Sequence, residues 1–245
     1  KVLMSPMHVI RAFALLLLGP PLTILFSTLA WIDLVLVRRS QRQGQLFPKI
    51  WGRVMCRLAG VRVRVRGTEH LDPGQTYIFM GNHVSQFDIF TFQGYFPHDF
   101  RWIVKKELFR IPIFGAAMRR AGLVAIDRSH GREAMKSLNA AAEHIHSGTS
   151  VLIFPEGTRS LDGTLQPFKA GVISLAIKAG VPVVPVGFIG TYQVLPKGRY
   201  LATPGEVIIR IGRPFSIQGY TMKDKHQLAQ DLHDRVAELL AAPGQ

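Results

Sequence analysis

Residues 12–32 form a run of 21 positions without a charged side chain. An apolar stretch of about 20 residues is what an α-helix needs to cross the hydrocarbon of a bilayer. Gly19-Pro20-Pro21 interrupts the run near its middle. Proline has no N–H to give and its ring clashes with the carbonyl one turn back, so a kinked span and a membrane-dipping hairpin of two short helices are both expected here. A cleaved signal peptide fits less well, because the run is long and its downstream flank is basic. Arg38, Arg39 and Arg42 place that flank on the cytoplasmic face of an inner or plasma membrane, since Lys and Arg concentrate in cytoplasmic loops. Residues 1–44 are read as the membrane anchor. The remainder, 45–245, is long enough for one sizeable domain.

Charge supports the same placement. The formal net charge is +14, and Arg38, Arg39, Arg42, Lys49, Arg53, Arg57, Arg62, Arg64 and Arg66 follow one another with no Asp or Glu between them. Such a block suits nucleic acid or an anionic membrane surface. Its position beside the apolar run favours the membrane, and no zinc-finger, RNA-recognition or leucine-zipper pattern accompanies it, so no nucleic-acid partner is expected. A lone cysteine, Cys56, leaves no intrachain disulfide framework or thiolate cluster. His144, His146, His226 and His233 lack an evident third ligand, and no metal site is expected.

Phe47–Ala59 carries Ile50, Val54, Met55 and Leu58 at helical spacing, with Gly60 placed to end the helix. Such a helix suits either the headgroup region or a plain surface. Val-Arg-Val-Arg-Val-Arg at 61–66 alternates with period two and predicts an edge strand with one basic face. Short apolar runs at 76–80, 101–105, 123–126, 150–154 and 183–186 predict further strands, and 206–211 a late one at an edge or antiparallel. Helical patterns at 131–146 and 170–179 and a closing one around Leu228, Leu232, Val236 and Leu239 separate or follow them. Alternation of strands and helices predicts an α/β domain with a mostly parallel mixed sheet flanked by helices.

Two polar clusters sit where strands end, the place where α/β proteins build sites. The first is Asn82-His83-Val84-Ser85-Gln86-Phe87-Asp88. Residues five apart on a regular helix are rotated by roughly 140°, so His83 is expected in the turn and Asp88 in the first helical turn, folded back toward the ring. A carboxylate on one imidazole nitrogen fixes the tautomer and leaves the other free to take a proton. Ser85-x-x-Asp88 also fits a capping box, in which Asp88 only stabilises a helix start. The second cluster is Phe154-Pro155-Glu156-Gly157-Thr158-Arg159-Ser160.

Asn-His-x4-Asp at 82–88 and Phe-Pro-Glu-Gly-Thr-Arg-Ser at 154–160 resemble signature blocks of the glycerolipid acyltransferases. Gly122–Arg128 and Val181–Val186 resemble two more, in the same order. The resemblance covers about residues 76–190. It implies transfer of a fatty acyl group from acyl-CoA or acyl carrier protein to the free sn-2 hydroxyl of 1-acylglycerol-3-phosphate, a lysophosphatidate acceptor, with no cofactor. On this reading His83 is the base and Asp88 its orienter. Arg159 holds the acceptor phosphate with its planar fork, helped by Lys105 and Arg128. Gly157 and Thr158 let the backbone approach and add a hydroxyl, while Glu156 contacts the glycerol, braces its loop, or pairs with Arg159. Lys105, Asn82 and N–H groups near Gly157 are the options for the oxyanion. Other lysolipids, including an ornithine lipid, are alternative acceptors, and a noncatalytic basic membrane adaptor is the alternative of another class.

Overall fold

In the computed structural model, residues 6–37, 43–127 and 131–242 are described; Arg38, Arg39, Arg42 and Arg128 lie outside them. Seven strands form one sheet: β1 (Val61–Arg66), β2 (Ile78–Gly81), β3 (Arg101–Lys105), β4 (Val124–Ile126), β5 (Val151–Ile153), β6 (Val183–Ile189) and β7 (Gly205–Ile211), in the order β1-β7-β6-β2-β5-β3-β4. The run β6-β2-β5-β3-β4 is parallel throughout, so its carboxyl ends share one edge. β7 is antiparallel to β6 and parallel to β1. The late strand is thus antiparallel, as one of the two expectations had it. It is not an edge, because β1 pairs along its outer side.

Alternation along the strands divides the apolar side chains between two cores. Phe79, Leu152, Val184, Val186 and Phe188 face one side, with Phe87, Phe92, Phe96, Phe100 and Trp102. Ile78, Met80, Val151, Ile153 and Val183 face the other, with Ile145, Ile173, Leu175, Leu228 and Leu232. Helices α5 (Arg132–His146), α6 (Ala170–Ala179) and α8 (Lys225–Ala241) cover the second side; α7 (Thr191–Val194) is a single turn after β6. The aromatic side is covered by α2 (Leu46–Ala59) and α3 (Phe87–Tyr95), with α1 (Pro6–Val35) packed on α2 and on α4 (Phe114–Arg120).

The helix α1 runs unbroken through Gly19-Pro20-Pro21, which removes the hairpin alternative. Its 30 residues are long and apolar enough to cross a membrane, at a rise of about 1.5 Å each. The carbonyls that lose their donors to the two prolines belong to Leu16 and Leu17, both exposed, so the ring clash is relieved on an open face. Further along the helix Trp51 Nε1 donates to Thr23 Oγ1 at 3.1 Å.

Packing of α2 against α3 turns on two glycines. A Cβ on Gly52 would stand 2.6 Å from Gly94 N, and one on Gly94 would stand 2.8 Å from Arg53 N. Main chain therefore meets main chain at this crossing, and Arg53 Nε donates to Gly94 O at 2.8 Å. α2 is wedged between two helices instead of lying free on the surface. Gly60 ends it in the left-handed region, at φ 72°.

Candidate active site

The parity that sends Phe79 into the aromatic core continues past the end of β2 to His83, and that of Leu152 continues past β5 to Phe154. The two rings meet there face to face, with centroids 3.9 Å apart and planes 5° from parallel. Because α3 packs on the same side of the sheet, its first turn brings Asp88 under the imidazole. Asp88 Oδ2 accepts from His83 Nδ1 at 2.7 Å, Val84 N at 2.8 Å and Ser85 N at 2.9 Å. The carboxylate is fully buried, and its Oδ1 has no partner among the described residues.

Both sequence readings of Asp88 thus meet in one oxygen. It takes one half of a capping box, the Ser85 N–H, and also orients the imidazole. The other half is absent: Ser85 Oγ accepts from Phe87 N at 3.1 Å and donates to Leu195 O at 2.8 Å. An acceptor-only carboxylate on Nδ1 makes that nitrogen the donor. The lone pair is left on Nε2, which has no hydrogen bond among the described residues.

The second loop is locked to the first. Ser160 N donates to His83 O at 2.8 Å. The buried Glu156 carboxylate accepts from His83 N at 2.5 Å and from Gln166 N at 3.3 Å. Of its three expected roles the geometry gives the brace; no ion pair to Arg159 exists among the described residues. Burial pushes the Glu156 carboxyl up to about 7, against the two N–H bonds that favour the anion and with the nearby Asp88 charge adding to the rise.

Gly157 adopts φ 76°, which an L side chain rarely adopts, and Lys169 folds over the space that a Cβ would need. Thr158 is exposed and Arg159 half-buried, its guanidinium without a hydrogen bond or ion pair among the described residues. Lys105 stands exposed at the carboxyl end of β3, on the edge that carries both loops. Arg128 lies outside the described residues, next to Asp127, which pairs with Lys106.

Two oxyanion options are spent on the fold. Asn82 is buried, donating through Nδ2 to Phe188 O at 3.0 Å and accepting from Phe188 N at 2.7 Å, so its amide closes the end of β6. Gly157 N donates to Phe154 O at 3.1 Å. The Lys105 side chain and the Thr158 and Arg159 N–H groups beside Gly157 are the options left without a hydrogen bond among the described residues.

Sequence reading missed Lys197. Its Nζ donates to Arg159 O at 2.9 Å and Thr158 Oγ1 at 3.2 Å. The neighbouring Pro196 bridges to Ser85, and Tyr192 donates to Leu161 O at 3.1 Å. The segment 191–197 therefore straps the two loops together from sites 31 to 110 residues apart in sequence. No local pattern signals a contact of that range.

A mixed sheet whose parallel run carries an imidazole–carboxylate pair and a cationic loop at adjacent strand ends describes a class of group-transfer proteins. The chain belongs to the acyltransferase family, whose model matches residues 62–189. It is similar to the 1-acyl-sn-glycerol-3-phosphate acyltransferase BAT2, chloroplastic, of Brassica napus, at 31% identity over 86% of this chain and 59% of that one. The 1-acyl-sn-glycerol-3-phosphate acyltransferase alpha of Mus musculus is 34% identical over 71% of this chain and 62% of its own. The chain therefore spans about three fifths of these two curated relatives. Among solved structures, the 1-acyl-sn-glycerophosphate acyltransferase PlsC of Thermotoga maritima superposes with a TM-score of 0.70 at 29% identity, covering 94% of this chain and 99% of that one.

Proposed function

We propose that the chain moves a fatty acyl group from a thioester donor, acyl-CoA or acyl carrier protein, to the sn-2 hydroxyl of 1-acylglycerol-3-phosphate, giving phosphatidic acid. The observation that carries this reading is the tie between the two loops. Glu156 holds His83 N and Ser160 N holds His83 O, so the backbone of the loop that carries the base is tied to the loop that carries Arg159. Phosphate bound to Arg159 sets the glycerol hydroxyl against Nε2, and positioning of that kind supplies much of a transfer enzyme's rate.

The imidazole takes the hydroxyl proton as the oxygen attacks the thioester carbonyl. The Asp88 carboxylate stabilises the imidazolium that forms. Collapse of the tetrahedral intermediate breaks the C–S bond, and the departing thiolate receives the proton from Nε2. No acyl-enzyme is needed. Ser85 Oγ is tied to the Leu195 carbonyl, and the Cys56 thiol, fully buried, is pushed up to about 12 by desolvation. The helix α1 anchors this chemistry to the membrane that holds the acceptor, with the catalytic domain on the cytoplasmic face.

Mass spectrometry of the lipids made by the purified chain, offered a panel of lysolipids with each donor type, tests the assignment. Phosphatidic acid is the expected product, and His83→Ala should lower its formation by about 10²- to 10⁴-fold. Preference for a phosphate-free lysolipid, or near-normal turnover by a folded His83→Ala enzyme, overturns it.

A further inference from the structure

Ile113 is the one non-glycine residue among those described with positive φ, at φ 62° and ψ −61°. Phe114 N donates to Pro112 O at 2.6 Å, closing a three-residue γ-turn of the rarer hand around it. A β-branched residue seldom adopts such a backbone unless its surroundings impose it. Here they do. A Cβ on Gly115 would stand 2.2 Å from Phe109 O, so the start of α4 presses on the preceding 3₁₀ turn, Lys106–Arg110. Gly115 N and Ala117 N then donate to Ile111 O and Ile113 O at 2.7 and 2.9 Å.

The strained turn leaves about half of each isoleucine in solvent. Ile111 is 46% exposed and Ile113 48%, with Pro112 exposed between them. In sequence, exposed Lys105, Lys106, Arg110, Arg119 and Arg120 lie on either side of the tip, Lys106 paired with Asp127 and Arg119 donating to Phe109 O at 2.6 Å, and Glu107 is the sole acidic residue in the stretch 105–120. The turn leaves the carboxyl end of β3, the edge of the catalytic loops. It leads directly into α4, which packs on α1, whose outer face shows Phe13, Leu17 and Ile24 to solvent.

We propose that Ile111-Pro112-Ile113 is a wedge that enters the acyl boundary of an anionic lipid surface, a second membrane contact beside α1. The inference rests on the reading of α1 as a membrane anchor. An apolar tip in a stretch rich in exposed cations matches the layered chemistry of such a surface, apolar chains beneath anionic headgroups. Continuity with the apolar face of α1 through α4 favours lipid over a protein partner. Two separated contacts also set orientation, which one helix alone leaves free to swivel, and they turn the strand-end crevice toward the leaflet that holds the acceptor.

The test is a nitroxide on Ile111→Cys in the full chain, in a Cys56→Ser background, with a second label at exposed Lys223→Cys as the aqueous reference. On phosphatidylcholine–phosphatidylglycerol vesicles, the label at 111 should gain collisions with oxygen and lose them with a water-soluble nickel chelate; the label at 223 should change in neither. Ile111→Ser/Ile113→Ser should use vesicle-embedded acceptor about tenfold less well, the scale set by the apolar area withdrawn, and use acceptor dispersed as monomers as well as the parent does. A vesicle-bound chain whose label at 111 stays aqueous overturns the wedge and leaves the α1 anchor standing. A chain that fails to bind vesicles overturns both. Loss of self-association in the double serine variant, with no change in lipid contact, makes a second copy of the chain the occupant and overturns the proposal as well.

Discussion

His83 lies flat on Phe154, with the two ring planes 5° apart at 3.9 Å, while the edge of the imidazole is held by Asp88. Plane and rotation are thus fixed by different partners. Phe154→Leu keeps an apolar side chain but removes the flat support. We expect kcat to fall by roughly ten- to a hundredfold through loss of alignment, with a smaller loss of thermal stability. Comparing kcat with the melting temperature separates the two.

Asp88→Asn separates charge from geometry. The amide oxygen can replace Oδ2 for all three N–H donors, yet the amide NH2 then occupies the buried Oδ1 position, which has no partner among the described residues. The expected outcome is a loss of about 1–3 kcal/mol in unfolding free energy from the unsatisfied donor. A fall in kcat approaching 10⁴-fold should accompany it as the imidazolium loses its counter-charge. A variant that loses stability and keeps kcat would reduce Asp88 to a cap.

Arg159→Lys keeps the charge and loses the fork. Use of the phosphorylated acceptor should weaken by about 1.5–3 kcal/mol, the worth of a hydrogen bond to a charged group, with donor KM little changed. Repeating the titration with a phosphate-free acceptor should erase the difference between variant and parent; persistence of the difference would mean that Arg159 does not read the phosphate.

Lys197 acts on that arginine's loop through Arg159 O and Thr158 Oγ1. Lys197→Met should raise acceptor KM by roughly five- to tenfold, on the scale of one or two net hydrogen bonds, with donor KM constant. Lys197→Arg should restore part of the loss. Equal effects on both substrates would indicate a general loosening of the fold.

Glu156 gives a pH signature. Its carboxyl sits near 7 in the folded chain against an ordinary value of 4.5, so the folded state holds the proton more tightly. The stability this contributes is complete below 4.5 and is lost as pH rises through 7, up to about 3 kcal/mol in all. Glu156→Gln cannot titrate. The stability gap between parent and variant, read from denaturant unfolding in detergent, should therefore shift against the parent between pH 5 and pH 8. A gap independent of pH would contradict the buried environment assigned to this carboxyl.

The elements that follow period and punctuation were legible in the sequence. Val61–Arg66 alternates and is a strand; Gly60 ends α2 as expected; His83 lies in the turn and Asp88 in the first helical turn. What escaped depends on distant partners. Pro20 and Pro21 argue for a break, and packing along α2 and α4 keeps α1 whole. Asn82 reads as a free polar group beside the base, and the Phe188 main chain claims it from 106 residues away. Glu156 offers three roles on paper, and burial beside the His83 N–H selects one. Lys197 carries no motif and is placed only once β6 lies beside β2.

The crossing of α2 and α3 at Gly52 and Gly94 also governs how this protein can be recombined. A chimera cut at residue 44 would graft a foreign anchor onto a native α2 and lose the Thr23–Trp51 bond that keys the two helices. A cut after Gly60 would carry α1 and α2 together as a cassette. The donor helix must then bring its own glycine to position 52, because a side chain there would meet the backbone of the helix that holds Asp88. The portable unit is thus the helix pair, and its fit to α3 is a lock that admits a key without a Cβ.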